Sequence, residues 1–479
     1  MATPAHEPAP AAEEFTPDPR RWQVLAVVLA VGFMALLDVT IVNVALPTMR
    51  EGLDASTGSV QWVVSGYALA FGLTLVSGGR LGDAHGRRRL MLVGLAGFIV
   101  SSALVGFAPS IELAVVARLA QGASAGLLTP QSSGLIQQLF RGPERGRAFG
   151  LFGLTVAIAS AAGPVIGGVI IALAGPENGW RWLFLVNVPL GLVALVAIAR
   201  LVPAHPAEEQ QGDTRLDGVG AVLLGAAVLA VLFPVVQAEN GARLPLLLLL
   251  LAPVLGWAFV RWEHRVLARG HAPLLDVALL RSLPGYGIGM AIGSLYFCGF
   301  TGIFLVVSVH LQDDLGLSAL ETGLLLTPFA LGAAVTSPVA GRLVSTVGRP
   351  LTVIALVVMM TGTALTAWLA ADRSGPGLVW VLVPCLLLAG LGSGAVVSPN
   401  FTLTLAEVPP RMGGAAGAAL QTGQRIGASL GAALLVTVYQ LAGLRSALLV
   451  AVGVIGLALV AAVVSWRAAP RAATTPSGA

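Results

Sequence analysis

Apolar residues in this chain gather in runs of about 20, the length a helix needs to cross the hydrocarbon core of a bilayer. Short breaks rich in Gly, Pro, Arg and Asp separate the runs. Nowhere does the pattern settle into the every-second-residue alternation of a barrel strand. The runs predict fourteen helices, at about 23–46, 61–81, 90–108, 112–138, 148–174, 183–202, 216–237, 244–260, 286–311, 322–343, 351–371, 378–406, 415–441 and 446–466. The fold class is therefore all-α and polytopic. Residues 20–203 are read as one six-helix bundle and 286–467 as a second, with 204–285 a linker carrying two inserted spans. Residues 1–19, acidic and Pro/Ala-rich, and 468–479 read as tails. Pro47 is expected to end the first helix. The segment after the eighth span, from Arg261 to Leu283, is expected to lie along the membrane surface, with Arg261, Arg265 and Arg269 among Trp and Leu.

Composition agrees with membrane burial. Apolar residues make up 56% of the chain and charged residues 10%, against about 25% charged in soluble domains. No basic, cleavable leader precedes the first span. Cys298 and Cys385 fall in apolar runs and read as small buried residues. The chain has no lysine, so all 27 basic residues are arginine. A phosphate loop needs Gly-Lys-Ser/Thr, which excludes Walker-type ATP hydrolysis by this chain, and lysine Schiff-base chemistry goes with it. Energy for pumping would come from an ion gradient or a separate subunit. With the N-terminus inside, twenty arginines fall on the inner side and five (Arg50, Arg181, Arg243, Arg373 and Arg445) on the outer. That bias predicts both termini in the cytoplasm and a multi-pass protein of the plasma or inner membrane. The net charge of +4 then reports orientation and membrane lipid headgroups rather than nucleic acid.

An internal repeat is visible. Gly79-Arg80-Leu81 followed by Gly86-Arg87 recurs as Gly341-Arg342-Leu343 followed by Gly348-Arg349, an offset of 262 that also maps Leu53 and Ser56 onto Leu315 and Ser318. Parallel-repeat transporters are built this way, with a site between the halves near the midplane. The seventh and eighth spans have no counterpart and read as an insertion.

Candidate chemistry starts at Asp38. A carboxylate in the middle of a span costs at least about 2.5–3.5 kcal/mol to insert, so it faces a protein interior or a water-filled path. From the 1.5 Å rise per residue, Asp38 lies about 12 Å and Arg118 of the fourth span about 9 Å below the same outer face. Opposite charges at one depth lower each other's desolvation cost if their helices touch. Two readings stand open: a pair broken when Asp38 is protonated, coupling the proton to a conformational change, or a static ion pair. On the inner side, Gly79, Arg80, Asp83, Gly86 and Arg87 form a second constellation. Its glycines permit a tight turn, Asp83 suits the positive N-terminus of a facing helix, and the arginines suit carboxylates or lipid phosphates. Such a cluster latches an inner gate, although ordinary positive-inside anchoring explains the arginines equally well. Ser345 stands at the aspartate position of the second half, so any latch is asymmetric. In the fifth span Gly150, Gly163, Pro164, Gly167 and Gly168 are expected to share one close-packing face, bent at Pro164. His310 and Arg425 are weaker candidates for proton or substrate contacts. No metal-ligand cluster, nucleophile triad or Gly-rich phosphate loop stands out.

On these motifs the chain resembles the fourteen-helix drug:proton antiporters of the major facilitator superfamily. Leu37–Pro47 resembles that group's first-helix signature, Gln61-Trp62 with Tyr67 its second-helix start, and Gly79–Arg89 its loop between helices two and three. Arg118-Leu119-Ala120-Gln121-Gly122 resembles the fourth-helix arginine motif, which implies proton transfer for Arg118. Gly150 with Gly163–Gly168 resembles the antiporter motif, except that Ala159 stands where glycine is usual. Trp180–Pro189, Leu216-Asp217-Gly218 and Leu311-Gln312 through Ser318 to Pro328 are further matches. Ala84-His85 replaces a basic and an aromatic residue, leaving His85 to weaken or pH-tune the latch. The resemblance implies a monomeric antiporter that exchanges protons for an amphiphilic small molecule, with no ATP, cofactor or metal. Asp38 and Arg118 would couple the proton, and Asn43, Gln121 and Arg425 would line the substrate cavity. Asp38, taken as the only acid inside a span, tilts the cargo towards neutral or zwitterionic compounds. Two other functions remain: a dedicated exporter of an endogenous metabolite, lipid or siderophore, and a non-transporting receptor or scaffold.

Overall fold

The computed structural model describes residues 17–175, 177–204, 217–239, 244–271, 273–277, 282–369 and 376–468. Residues 1–16 and 469–479, and Arg215, Arg243, Arg281 and Arg373, lie outside the described residues. The helices are α1 (Arg21–Gly52), α2 (Thr57–His85), α3 (Arg87–Gly106), α4 (Ile111–Leu139), α5 (Gly142–Ala174), α6 (Gly179–Leu185), α7 (Asn187–Leu201), α8 (Gly218–Glu239), α9 (Leu251–Ala268), α10 (Pro284–Val309), α11 (Ala319–Val347), α12 (Arg349–Leu369), α13 (Pro376–Thr404) and α14 (Gly413–Ala468). Twelve stretches among the described residues are long and apolar enough to cross a membrane, and the shorter apolar Gly218–Pro234 adds another. The last of the twelve, containing α14, breaks at Gly443, where φ is 77°, and so makes two passages. Fourteen crossings result, in two six-helix bundles with α8 and α9 inserted between them. Large apolar side chains cover the outside: Leu173 is 84% and Trp380 83% exposed. Such a surface is tolerable only against lipid.

Local chemistry sets the helix ends. The Ser56 hydroxyl caps α2 by accepting from the Ser59 N–H at 3.1 Å, and Ser318 caps α11 in a reciprocal capping box with Glu321. Gly86 ends α2 at φ 94° and Gly348 ends α11 at φ 68°, a backbone region that favours glycine. These features are spaced by the same 262 positions as the repeat. The repeat also governs packing. Gly126 of α4 rides on Phe71 and Thr74 of α2, and Gly394 of α13 rides on Ala333 and Thr336 of α11.

Three expectations need correction. Pro47 does not end α1, which continues to Gly52; proline leaves only the carbonyl four residues back without its donor, a defect that membrane helices tolerate. The arginines after the eighth span do not lie on the surface as a separate segment. They recur four apart, which is helical spacing, and α9 carries Arg261 and Arg265 on its exposed side while Phe259, Glu263 and Val266 face inward. Asp38 is therefore not the only acid buried within a span, because Glu263 is fully buried too.

Candidate functional site

Asp38 on α1 and Arg118 on α4 are 1% and 0% exposed. Arg118 Nη1 donates to Asp38 Oδ2 at 2.5 Å. The other carboxylate oxygen accepts from Gln121 Nε2 and Asn187 Nδ2, each at 3.0 Å. Both amides also reach the Ser102 hydroxyl at 3.1 Å, and that hydroxyl donates to the Phe184 carbonyl at 2.9 Å. Arg118 is held in turn: Nε donates to the Val63 carbonyl at 2.9 Å, Nη1 to Gln121 Oε1 at 2.8 Å, and the guanidinium lies 4.2 Å from the centre of the Tyr67 ring. Gln121 follows Arg118 by three residues, so one helix face presents both. Six elements, α1 to α4, α6 and α7, thus contribute to the network around one carboxylate, and each of its oxygens regains at least one donor on leaving water.

Of the predicted residues, the structure brings together Asp38, Arg118 and Gln121. Asn43 is on α1, but its side chain lies outside what is described. Arg425 does not reach the acid. It sits half-buried on α14 with its guanidinium 4.6 Å from the centre of the Phe71 ring, and Phe71 stacks on Tyr67 at 6.2 Å. Two arginines therefore flank a pair of stacked rings that runs from the buried acid to the second bundle. Sequence reasoning assigned no role to Asn187 or Ser102. The available signal was an amide between Val186 and Val188 in an apolar run, where an unpartnered amide is costly.

The second site lies at the arginine-rich end. Asp83 Oδ1 accepts from the Gly414 N–H at 3.1 Å and Oδ2 from the Ala415 N–H at 2.8 Å, at the first turn of α14, where the helix dipole favours an anion. Arg87 Nη2 donates to Asp83 Oδ1 at 2.8 Å and to the Pro410 carbonyl of the second bundle at 2.7 Å. Its Nη1 donates to the Gly134 carbonyl at 2.5 Å and to Gln138 Oε1 at 2.9 Å. Arg80 is half-buried, and so is His85, whose Nδ1 is unbonded. Further cross-bundle bonds lie nearby, from Gln137 Nε2 to the Leu405 carbonyl at 2.9 Å and from the Ser337 hydroxyl to the Gly150 carbonyl at 3.0 Å.

The repeated glycines explain this closure. A Cβ on Gly79 would meet the Gly414 carbonyl at 2.5 Å, and one on Gly341 would meet the Gly146 carbonyl at 2.5 Å. Each bundle thus offers a glycine at equivalent register to a close crossing with the other. The same contacts correct the reading of α5. Gly150 faces Ser337, Pro338 and Gly341 of α11, whereas Gly163 and Gly167 face Thr40, Ile41 and Val44 of α1. Gly168 meets nothing and is exposed. These glycines lie on different faces because each serves a different neighbour; the Pro164 side chain lies outside what is described.

Between α5 and the second bundle is a pocket lined by Tyr296, Phe297, Phe300, Phe304 and Phe329, with Ser160, Ser337 and Ser393 as its hydroxyls. No charged side chain lines it. His310 stands elsewhere, past the end of α10, where Nδ1 lies 2.7 Å from Asp314 Oδ2 and the Tyr439 hydroxyl donates to that same oxygen at 2.5 Å.

A sequence profile of the Major Facilitator Superfamily matches residues 28–432 and, overlapping it, 289–479. The chain belongs to the Major Facilitator Superfamily. This facilitator is 38% identical to puromycin resistance protein pur8 of Streptomyces alboniger, over 86% of this chain and 80% of that protein. It is 35% identical to a probable actinorhodin transporter of Streptomyces coelicolor, over 88% and 73%. It is 34% identical to the tetracenomycin C resistance and export protein of Streptomyces glaucescens, over 85% and 74%. Among solved structures, the human organic anion transporter MFSD10 superposes with a TM-score of 0.70 at 19% identity, covering 93% of this chain and 100% of that one. The proton:xylose symporter XylE gives 0.67 at 16% identity, over 94% and 96%. These two share the fold.

Proposed function

We propose that this facilitator is a proton-coupled antiporter that exports amphiphilic small molecules across the cytoplasmic membrane by alternating access. The observation that carries the reading is the Asp38–Arg118 pair, buried inside the first bundle with both carboxylate oxygens hydrogen-bonded. A buried ion pair contributes little net stability against apolar residues of the same volume, yet losing one partner is costly. Its retention here fits a group whose charge changes during work. Protonating Asp38 removes the charge opposite Arg118 and leaves the guanidinium with the Val63 carbonyl, Gln121 Oε1 and the Tyr67 face. The pair then no longer ties α1 to α4 electrostatically.

The Asp83 latch supplies the other half of the cycle. The arginine-rich end, cytoplasmic on this reading, is shut by bonds from Asp83, Arg87, Gln137 and Ser337 across the bundles. Those bonds must break before cargo enters from the cytoplasm. The aromatic, uncharged pocket suits flat apolar cargo, of neutral or zwitterionic kind, and the names of the Streptomyces relatives concern antibiotics. The test is efflux of a fluorescent amphiphile from cells expressing the protein, with and without a protonophore. Loss of efflux on collapse of the gradient is expected; efflux indifferent to the protonophore contradicts proton coupling.

A second reading keeps the fold and narrows the cargo to one metabolite of the producing cell, as two relatives are named for transport or export of a single compound. A drug-susceptibility panel on a deletion strain separates the two, because a dedicated exporter leaves most inhibitory concentrations unchanged.

A further inference from the structure

We propose that Asp217 and Glu263, in the inserted helices, form a second proton-binding site in which the two carboxyl groups share a single proton. Glu263 is fully buried near the end of α9. Asp217 precedes α8, where its Oδ1 accepts from the Gly220 N–H at 2.9 Å. A Cβ on Gly220 would touch Asp217 Oδ2 and Glu263 Oε1 alike, so the two oxygens border one small space that only glycine leaves open. The donors are unequally divided. Asp217 also receives the Trp262 indole N–H, 2.9 and 2.8 Å from its two oxygens. Glu263 is approached by the backbone N–H groups of Leu275, at a long 3.4 Å from Oε2, and of Leu274, while Oε1 is buried with no bonded partner.

Like charges side by side resist joint ionisation, the more so where one group, Glu263, is fully buried and the other, Asp217, half-buried. Asp217 takes the Gly220 and Trp262 donors, whereas Glu263 is met only by backbone N–H groups of the linker and keeps Oε1 unbonded. The arrangement is completed when Glu263 keeps its proton and donates it to Asp217 Oδ2. Among the described residues no arginine is bonded to either acid. Among the described residues, charged or titratable groups next to the pair along the chain are Asp276, one residue past Leu275 on the linker, and Arg261, His264 and Arg265 on the exposed side of α9 itself. The shared proton ties the start of α8, the end of α9 and the linker at Leu275, and it is separate from Asp38.

Infrared spectroscopy of the full-length protein in nanodiscs tests this through the carbonyl stretch of protonated carboxyl groups. At neutral pH a band is expected in the wild type and in Asp38→Asn, and it should be lost in Glu263→Gln, whose amide replaces the O–H donor. In Asp217→Asn the like charge is gone, so the band should titrate away at a pH lower by at least about one unit. No protonated band in the wild type at neutral pH, a band unchanged in Glu263→Gln, or an unshifted titration in Asp217→Asn would each overturn the proposal. A band abolished by magnesium at neutral pH would assign the site to a cation instead, and overturn it as well.

Discussion

Arg118 carries the heavier structural duty of the two charges in the first bundle. Removing it leaves the Asp38 carboxylate buried with only amide donors, at a cost of about 3–5 kcal/mol. Removing the charge of Asp38 leaves Arg118 its carbonyl, its amide oxygen and a ring face. Arg118→Ala is therefore expected to lower the melting temperature of the purified protein well below that of Asp38→Asn. Equal melting temperatures would mean that the pair is not held as described. The pairing of these two residues was readable from depth arithmetic along two helices, since opposite charges at one level have few other partners. Asn187 and Ser102 were not readable as partners. Their role depends on where α7 and α3 pass, which no local pattern encodes.

Helices were legible from hydrophobic run length, but two of them start several residues earlier than the runs suggest, at the Ser56 and Ser318 caps that the run pattern does not mark. Faces were less so. The glycines of α5 read as a single stripe, yet Gly150 and Gly163 serve different neighbours, because a helix buried on several sides carries no single periodic face. The Gly79/Gly341 repeat was legible as a repeat, but its place at the two bundle crossings was not, because a close contact between helices shows only once they pack. At this scale the latch makes two predictions. Asp83→Asn keeps an acceptor for α14 but loses its charge pairing with Arg87, so turnover should fall more than substrate affinity; an unchanged turnover counts against a latch. Gly146→Leu should wedge α5 from α11, since a Cβ there already meets the Gly341 carbonyl at 2.5 Å, with overpacking worth about 1–3 kcal/mol. Spin labels on the arginine-rich ends of α5 and α11 should report a longer distance than in the wild type, and an unaltered distance would refute the wedge.

Across the molecule, two of the charge systems bear on how the bundles meet. One lies inside the first bundle around Asp38 and the other across the bundles around Asp83, and Tyr67 and Phe71 connect the first to Arg425 on α14. On the proposed reading, protonation at the former changes how the bundles meet at the latter. The most direct test places wild type and Asp38→Asn in vesicles with the arginine-rich face outward and an acidic interior. A labelled amphiphile is then followed in two modes, gradient-driven accumulation and exchange against unlabelled compound without a gradient. Wild type should perform both. Asp38→Asn should retain exchange but lose accumulation, since it still binds cargo yet carries no proton; accumulation at the wild-type level in that variant would contradict the account.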